Sequence, residues 1–220
     1  MTAALALLLG HCATAAAPFW EISKPVTSAK LRGVHAVDSK VVWASGTGGT
    51  FLKTVNAGAN WRAGQVHGAE ALDFRDVEAF DERTALLLAS GPGDQSRIYR
   101  TTDGGQTWDL RFTNPDPDGF LDALAFWDRD RGIAFGDPVE GRFRVFLTGD
   151  GGTTWRLVPP DGMPPALPEE GAFAASGTCL VTLRGSKTAW FGTGGAAVSR
   201  VFRSEDGGNH WAIAETPVRA

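Results

Sequence analysis

Thr101-Thr102-Asp103-Gly104-Gly105-Gln106-Thr107-Trp108 is the stretch that decides the fold, because the chain contains three further copies of it. The copies are Thr54-Val55-Asn56-Ala57-Gly58-Ala59-Asn60-Trp61, Thr148-Gly149-Asp150-Gly151-Gly152-Thr153-Thr154-Trp155 and Ser204-Glu205-Asp206-Gly207-Gly208-Asn209-His210-Trp211. Their tryptophans lie 47, 47 and 56 positions apart, and a fixed period of this length is typical of repeat proteins. The sequence therefore predicts four successive repeat units.

The composition of these octets indicates a tight turn. An Asp or Asn side chain can accept hydrogen bonds from backbone amides further along the turn, glycine adopts the positive φ that a tight hairpin needs, and tryptophan can cover the turn. We expect a structural role, not a metal-binding or catalytic one, since Asx turns are the usual use of such acids. The predicted structural residues are Asn56, Trp61, Asp103, Trp108, Asp150, Trp155, Asp206 and Trp211.

Short alternating segments around each octet predict four antiparallel strands per repeat. In the second repeat the strands are expected at 74–80, 84–89, 97–101 and 108–112. Residues 41–46, 132–136 and 188–192 align with its second strand and end in glycine. Trp43 and Trp190 lie in these second strands, and we expect both to pack between repeats, as buried aromatic residues commonly do.

The octets resemble the Asp-box, or bacterial neuraminidase repeat, of sialidases and of several non-enzymatic β-propellers. From residue 19 to residue 218 the chain is similar to the propeller family of the photosystem II stability and assembly factor. The resemblance implies an all-β propeller of four-stranded antiparallel blades. It also implies an exported protein that holds a protein client, without catalysis and without a cofactor or metal.

The predicted propeller spans 18–220, with an outer strand at 18–26. Its blades are expected at about 30–66, 72–113, 119–158 and 171–218. Because members of the resembled family have about seven blades, we expect these four to be part of a larger ring. The expected result is an arc with an apolar blade face at each end, in a protein that dimerises or aggregates.

Composition and the first residues restrict the cellular setting. The 25 acidic residues outnumber the 21 basic ones, and no basic block could neutralise a phosphate backbone, so we expect no nucleic-acid partner. The apolar run 3–9, followed by Ala13-Thr14-Ala15, predicts a signal peptide over 1–17 and export to the periplasm or the cell exterior. No apolar run is long enough to span a membrane. Cys12 lies in the signal, which leaves Cys179 without a disulfide partner.

Residues 192–197 match the dinucleotide pattern G-x-G-x-x-A, but the context argues against nucleotide binding. A dinucleotide-binding turn must open a helix, whereas this segment leads into the fourth octet within a few residues. Residues 46–49 occupy the same place in the first repeat, so we interpret both segments as hairpins.

Propellers usually bind ligands on the face where blade-connecting loops and second-to-third-strand turns gather, opposite the octets. The candidate binding residues on this face are Arg32, Arg75 and Asp122, which share one alignment position, with Asp76, Asp94, Asp137 and Glu140. Further loop acids are Asp116, Asp118, Asp161, Glu169 and Glu170. The excess of carboxylates favours a cationic peptide or a cation. The proline-rich insertion 159–168 is expected on this face and is expected to explain the longer third spacing, either as a binding loop or as a linker.

A sialidase-like or other carbohydrate-active propeller is the alternative. Sialidases resemble this chain in their octets but add an arginine cluster and a tyrosine nucleophile with a glutamate partner. Tyr99, the sole tyrosine, is expected at the end of its blade opposite the usual substrate face. A paired-carboxylate glycosidase leaves no sequence signature, because its two acids can come from different blades. The function that the sequence favours is protein or peptide binding without catalysis.

Overall fold

The computed structural model describes residue 24, residues 26–175 and residues 177–218. The predicted signal peptide and residues 18–23 of the predicted outer strand lie outside the described residues. Within them the chain forms sixteen strands and two short 3₁₀ helices, Gly93–Gln95 and Pro160–Gly162. None of the described helices is long and apolar enough to cross a membrane.

The strands form four antiparallel sheets of four consecutive strands each, which confirms the predicted all-β fold of four-stranded antiparallel blades. Blade 1 contains β1 (Leu31–Ala36), β2 (Val42–Gly46), β3 (Thr50–Thr54) and β4 (Arg62–Gln65). Blade 2 contains β5 (Phe74–Ala79), β6 (Ala85–Ala89), β7 (Arg97–Thr101) and β8 (Asp109–Thr113). Blade 3 contains β9 (Leu121–Phe126), β10 (Gly132–Val139), β11 (Arg142–Thr148) and β12 (Arg156–Leu157). Blade 4 contains β13 (Leu180–Thr182), β14 (Ala189–Thr193), β15 (Arg200–Ser204) and β16 (Ala212–Glu215).

The blades pack on one another in chain order, with the inner strands β1, β5, β9 and β13 side by side. Three buried apolar clusters lie between successive blades. Trp43 is fully buried in the cluster between blades 1 and 2, as expected. Trp190 differs, because it is only half-buried and belongs to none of the three clusters. Its strand position faces away from blade 3.

The longer third spacing has two sources, which corrects the prediction that the proline-rich insertion explains it alone. Asp73 lies 12 positions after Trp61, whereas the equivalent Gly171 lies 16 positions after Trp155. The larger part is an excursion before β13, which comprises residues 173–175 and 177–178 among those that the structure describes. The Ser90 amide donates to the Asp73 carbonyl 17 positions earlier, whereas the equivalent residues Gly171 and Gly194 are 23 positions apart.

Candidate functional site

Each octet forms the turn between the third and fourth strands of its blade. In the second octet Asp103 Oδ1 accepts hydrogen bonds from the amides of Gln106 (2.9 Å) and Thr107 (3.0 Å). The Thr107 hydroxyl donates to Asp103 Oδ2 at 2.6 Å, and the Thr101 hydroxyl donates to Oδ1 at 2.8 Å. These bonds, that of the Thr107 hydroxyl foremost, hold the pKa of Asp103 well below its usual range. The octet acid is therefore a charged acceptor saturated by its own turn.

The end of the blades opposite the octets is called here the loop face. There the inner strands begin with a register irregularity that places Arg32, Arg75 and Asp122 at equivalent positions. In blades 2 and 3 the extra residue is Arg75 or Asp122 itself. Such β-bulges re-aim side chains at sheet edges and rims. In blade 4 the described residues of the excursion before β13 take the place of the bulge.

Two of the predicted binding residues, Arg32 and Arg75, contact the same carboxylate, that of Asp73. Asp73 Oδ2 lies 3.3 Å from the Arg32 guanidinium and 3.0 Å from Nε of Arg75. Arg75 also donates to the carbonyl of Ala174 in the excursion, at 3.3 Å. Both arginines are thus bound by groups of the protein itself. Asp73, which links them, was not predicted from the sequence. The sequence feature that could have indicated Asp73 is its position directly before an inner strand.

Asp76 and Asp122 lie inside the molecule, 7% and 1% exposed, and not on the open surface. Asp76 accepts hydrogen bonds from the amides of Val77 and Leu124, both at 2.8 Å, while Asp122 Oδ2 has no hydrogen-bond partner among the described residues. Burial raises the pKa of Asp76 to about 6. Burial, with the nearby charge of Asp137, raises the pKa of Asp122 to about 8. Asp122 is therefore largely uncharged at neutral pH and adds little to the surface potential.

The other predicted residues lie at the surface of the loop face. Asp137 accepts a 2.8 Å bond from the Ala172 amide, and burial raises its pKa. The Asp94 side chain is 77% exposed and lies 3.7 Å from Arg97, and that of Glu140 is 86% exposed and lies 3.4 Å from Arg144.

Two loop acids named in the sequence analysis differ from expectation. Glu170 is buried and binds Arg200 and the Thr193 hydroxyl, so it does not face solvent. Asp161 precedes Gly162, whose carbonyl accepts a 2.9 Å bond from the Trp211 amide. The proline-rich insertion 159–168 therefore turns back toward the octet side. Asp161 consequently lies beside the fourth octet and not among the acids of the loop face.

A groove of about 660 Å³ lies on the loop face at blade 4, and we call it the blade 4 groove. Glu169 and Phe173 form one wall, and residues 193–197 with Ser199 form the other. The Phe173 side chain is 55% exposed, although it is a large aromatic residue. The hairpin that matches the dinucleotide pattern thus lines a groove. It joins two strands and opens no helix.

A second cavity, about 370 Å³, lies on the octet side, where the inner strands of blades 1, 2 and 3 end. Its lining includes Glu78, Phe80, Arg129 and Arg184. Burial, together with Asp76, raises the pKa of Glu78 to about 8, and His35 Nδ1 lies 3.5 Å from its Oε2. Sequence reasoning missed Glu78. Its signal was its place two positions after Asp76, on the same face of β5.

Within the described residues, no group of three or more His, Cys, Asp or Glu side chains is arranged to hold a metal ion. Neither a protein-family model nor a curated protein matches the sequence. Solved structures do match.

YCF48 from Cyanidioschyzon merolae is 16% identical, with a TM-score of 0.56 over 89% of this chain and 60% of that one. The GH74 enzyme of Niastella koreensis is 14% identical, with a TM-score of 0.56 over 83% of this chain and 24% of the enzyme. A structure described as YCF48 bound to D1 peptide is 15% identical, with a TM-score of 0.49 over 86% of this chain and 83% of that one. The chain thus spans less than two thirds of the first two proteins. At these identities the likeness concerns the fold, and the chain is an all-β propeller built from four-stranded antiparallel blades.

Proposed function

We propose that this protein is a non-catalytic binding module that holds an extended, cationic segment of a protein or peptide partner on its loop face. The observation that carries the proposal is the blade 4 groove, which is lined by the exposed residues Phe173 and Glu169. Exposed aromatic residues in concave sites are common anchors of protein interfaces. A neighbouring carboxylate selects a basic residue next to the anchored apolar one.

The charge of the surrounding surface supports the same partner. Asp94, Asp118, Glu140 and Glu169 are exposed on this face. Arg144 is engaged by Asp116 at 3.1 Å, and Arg200 is engaged by Glu170. Asp94 and Glu140 lie beside Arg97 and Arg144, whereas Asp118 and Glu169 have no ion-pair partner among the described residues. These two unpaired carboxylates leave a negative potential that attracts a cationic segment.

We further propose that the octets belong to the Asp-box class, that the protein is located outside the cytoplasm, and that it acts as an assembly or scaffold protein. The octet pattern, the apolar N-terminal run and the resemblance to the photosystem II assembly factor family support these statements. The partner itself is described only by its chemistry, a basic and apolar extended segment.

Selection of displayed peptides on the purified protein tests the proposal. We expect enriched peptides with Lys or Arg beside an aliphatic or aromatic residue, and binding that weakens as salt is raised. Phe173→Ala should weaken the best peptide about tenfold or more. Glu169→Gln should weaken it less and reduce the salt dependence.

Matched controls exist on other surfaces. Leu110→Ala removes an apolar side chain of similar exposure, 48%, from blade 2, and Glu82→Gln removes an exposed acid from the octet side. Both should leave peptide affinity unchanged. Enrichment of acidic peptides, or equal affinities of Phe173→Ala and the wild type, would show that the groove is not the binding site.

A carbohydrate-active propeller is the second candidate, and one observation favours it. Glu78, with its raised pKa, lines a cavity at the ends of the inner strands, and a protonated carboxyl in such a place can act as a general acid. Release of reducing sugar from a panel of polysaccharides by the wild type but not by Glu78→Gln would support it. Equal release by both proteins, or none by the wild type, would contradict it.

A further inference from the structure

The contact between successive blades is built from the same sheet positions three times. Each blade presents to the next one two residues of its second strand and two of its third strand, which face each other across the strand pair. We call these four the outward positions. They are Trp43, Ser45, Phe51 and Lys53 in blade 1, Leu86, Leu88, Ile98 and Arg100 in blade 2, and Ile133, Phe135, Val145 and Leu147 in blade 3.

The octet of the following blade packs against these positions. A Cβ on Gly105 would lie 2.6 Å from the Phe51 ring, so the octet glycine is needed for the close approach. In blades 1 and 2 the fourth outward position is a cation that binds the same octet: Lys53 Nζ donates to the Gly104 carbonyl at 2.9 Å, and Arg100 Nε donates to the Gly151 carbonyl at 2.9 Å. In blade 3 this position is Leu147, which contacts the fourth octet by packing. An apolar sheet face therefore recognises an octet in all three contacts, and a basic residue adds a hydrogen bond in two of them.

Blade 4 carries the same set without its octet. Trp190 pairs with Arg203, as Trp43 pairs with Lys53, and Gly192 pairs with Val201. None of the four belongs to a buried cluster of the described residues. The Arg203 side chain is 52% exposed and lies beside only Glu205 of its own octet among the described ion pairs. Arg203 is thus exposed, and Trp190 and Val201 are only half-buried, whereas the apolar residues at the outward positions of the other blades are buried.

The first octet is the complementary surface. Ala57, equivalent to Gly104 and Gly151, is exposed, whereas those two glycines are buried. Around a Cβ built on Gly58, the equivalent of Gly105, only the ring nitrogen of Trp61 lies within 4 Å. Val26 and Leu31 lie along Ala44 and Leu52 of the same blade, but they leave Ala57 exposed.

We propose that the outward face of blade 4 binds the first octet of a second copy of this chain. Trp190 and Val201 pack on Gly58 of the other copy, and Arg203 donates to its Ala57 carbonyl, which repeats the contacts of Lys53 and Arg100. The contact joins different surfaces of the two copies, so it is heterologous. It does not involve the blade 4 groove, and its failure would leave the proposed peptide binding untouched.

Sedimentation velocity of the full chain over a range of concentrations tests this proposal. We expect self-association that Arg203→Glu weakens at least tenfold and Trp190→Ser weakens similarly, with circular dichroism confirming that both variants are folded. Arg111→Glu, on the outermost strand of blade 2, makes the same charge change and should associate like the wild type. A monomer at every concentration, or association unchanged by Arg203→Glu, would overturn the proposal.

Cross-linking identifies the two surfaces. In chains with Cys12 and Cys179 replaced by serine, Glu205→Cys mixed with Ala59→Cys should give a disulfide-linked dimer on oxidation, since Glu205 lies beside Arg203 and the substitution keeps Arg203 itself. Each variant oxidised alone should give none, because the contact places unlike surfaces together. Dimers from either single variant oxidised alone, or no dimer from the mixture, would contradict the assignment.

Discussion

The octet carboxylates and the carboxylates near the inner strands use the same residue type in opposite ways. Asp103 sits in an exposed turn, and its hydrogen bonds lower its pKa. Asp122 is 1% exposed with one oxygen unpartnered, and its burial raises its pKa to about 8. The first is a charged element of a turn, and the second is largely a neutral residue of the interior at pH 7. The number of hydrogen bonds and the degree of burial, not the residue type, decide the charge.

Truncation of an octet acid should have the largest effect on stability. Asp150→Ala removes an acceptor for the Thr153 and Thr154 amides and the Thr154 hydroxyl. We expect a loss of about 1–2 kcal/mol in the free energy of unfolding, similar to the loss of a helix cap. Urea denaturation measures it, with Asp94→Ala as the exposed control. A loss no larger than that of the control would show that the octet acid does not stabilise the turn.

Neutralising the interior acid should have an effect that depends on pH. Because the pKa of Asp122 is raised in the folded state, its contribution is fully present below its ordinary pKa near 3.8 and is lost as pH rises through about 8. Asp122→Asn cannot ionise, so the variant should lose less stability than the wild type between pH 5 and pH 8.

Urea denaturation at the two pH values measures this difference. Asp94→Asn, at an exposed position, should follow the wild-type pH dependence. If Asp122→Asn also followed it, the carboxyl would be ionised in the folded protein, and the contrast with the octets would fail.

The sequence predicts the octet turns but not the burial of Asp122. Thr101, Asp103, Gly105 and Thr107 meet within one octet, so their spacing alone indicates the turn. The four strands of blade 2 were predicted to within one or two residues for the same reason. The burial of Asp122 depends instead on its neighbouring blades and on the excursion before β13. No local sequence pattern predicts these contacts. The blade 4 groove depends on the same excursion, through Phe173.

The first octet offers the smallest and most local test, because it departs from the others at one backbone position. Ala57 has φ +57°, where the equivalent residues Gly104, Gly151 and Gly207 have φ +79°, +70° and +79°. This left-handed conformation costs a residue with a Cβ about 1–2 kcal/mol, part of which a glycine gives back through the greater freedom of its unfolded chain. Ala57→Gly should therefore stabilise the protein by about 0.5–1 kcal/mol. Thermal and urea denaturation below the concentration at which the chain associates would measure this gain. Ala59→Gly, in the same turn but without a positive φ, should give no gain. If the two variants had equal stability, conformational strain would not distinguish the first octet from the other three.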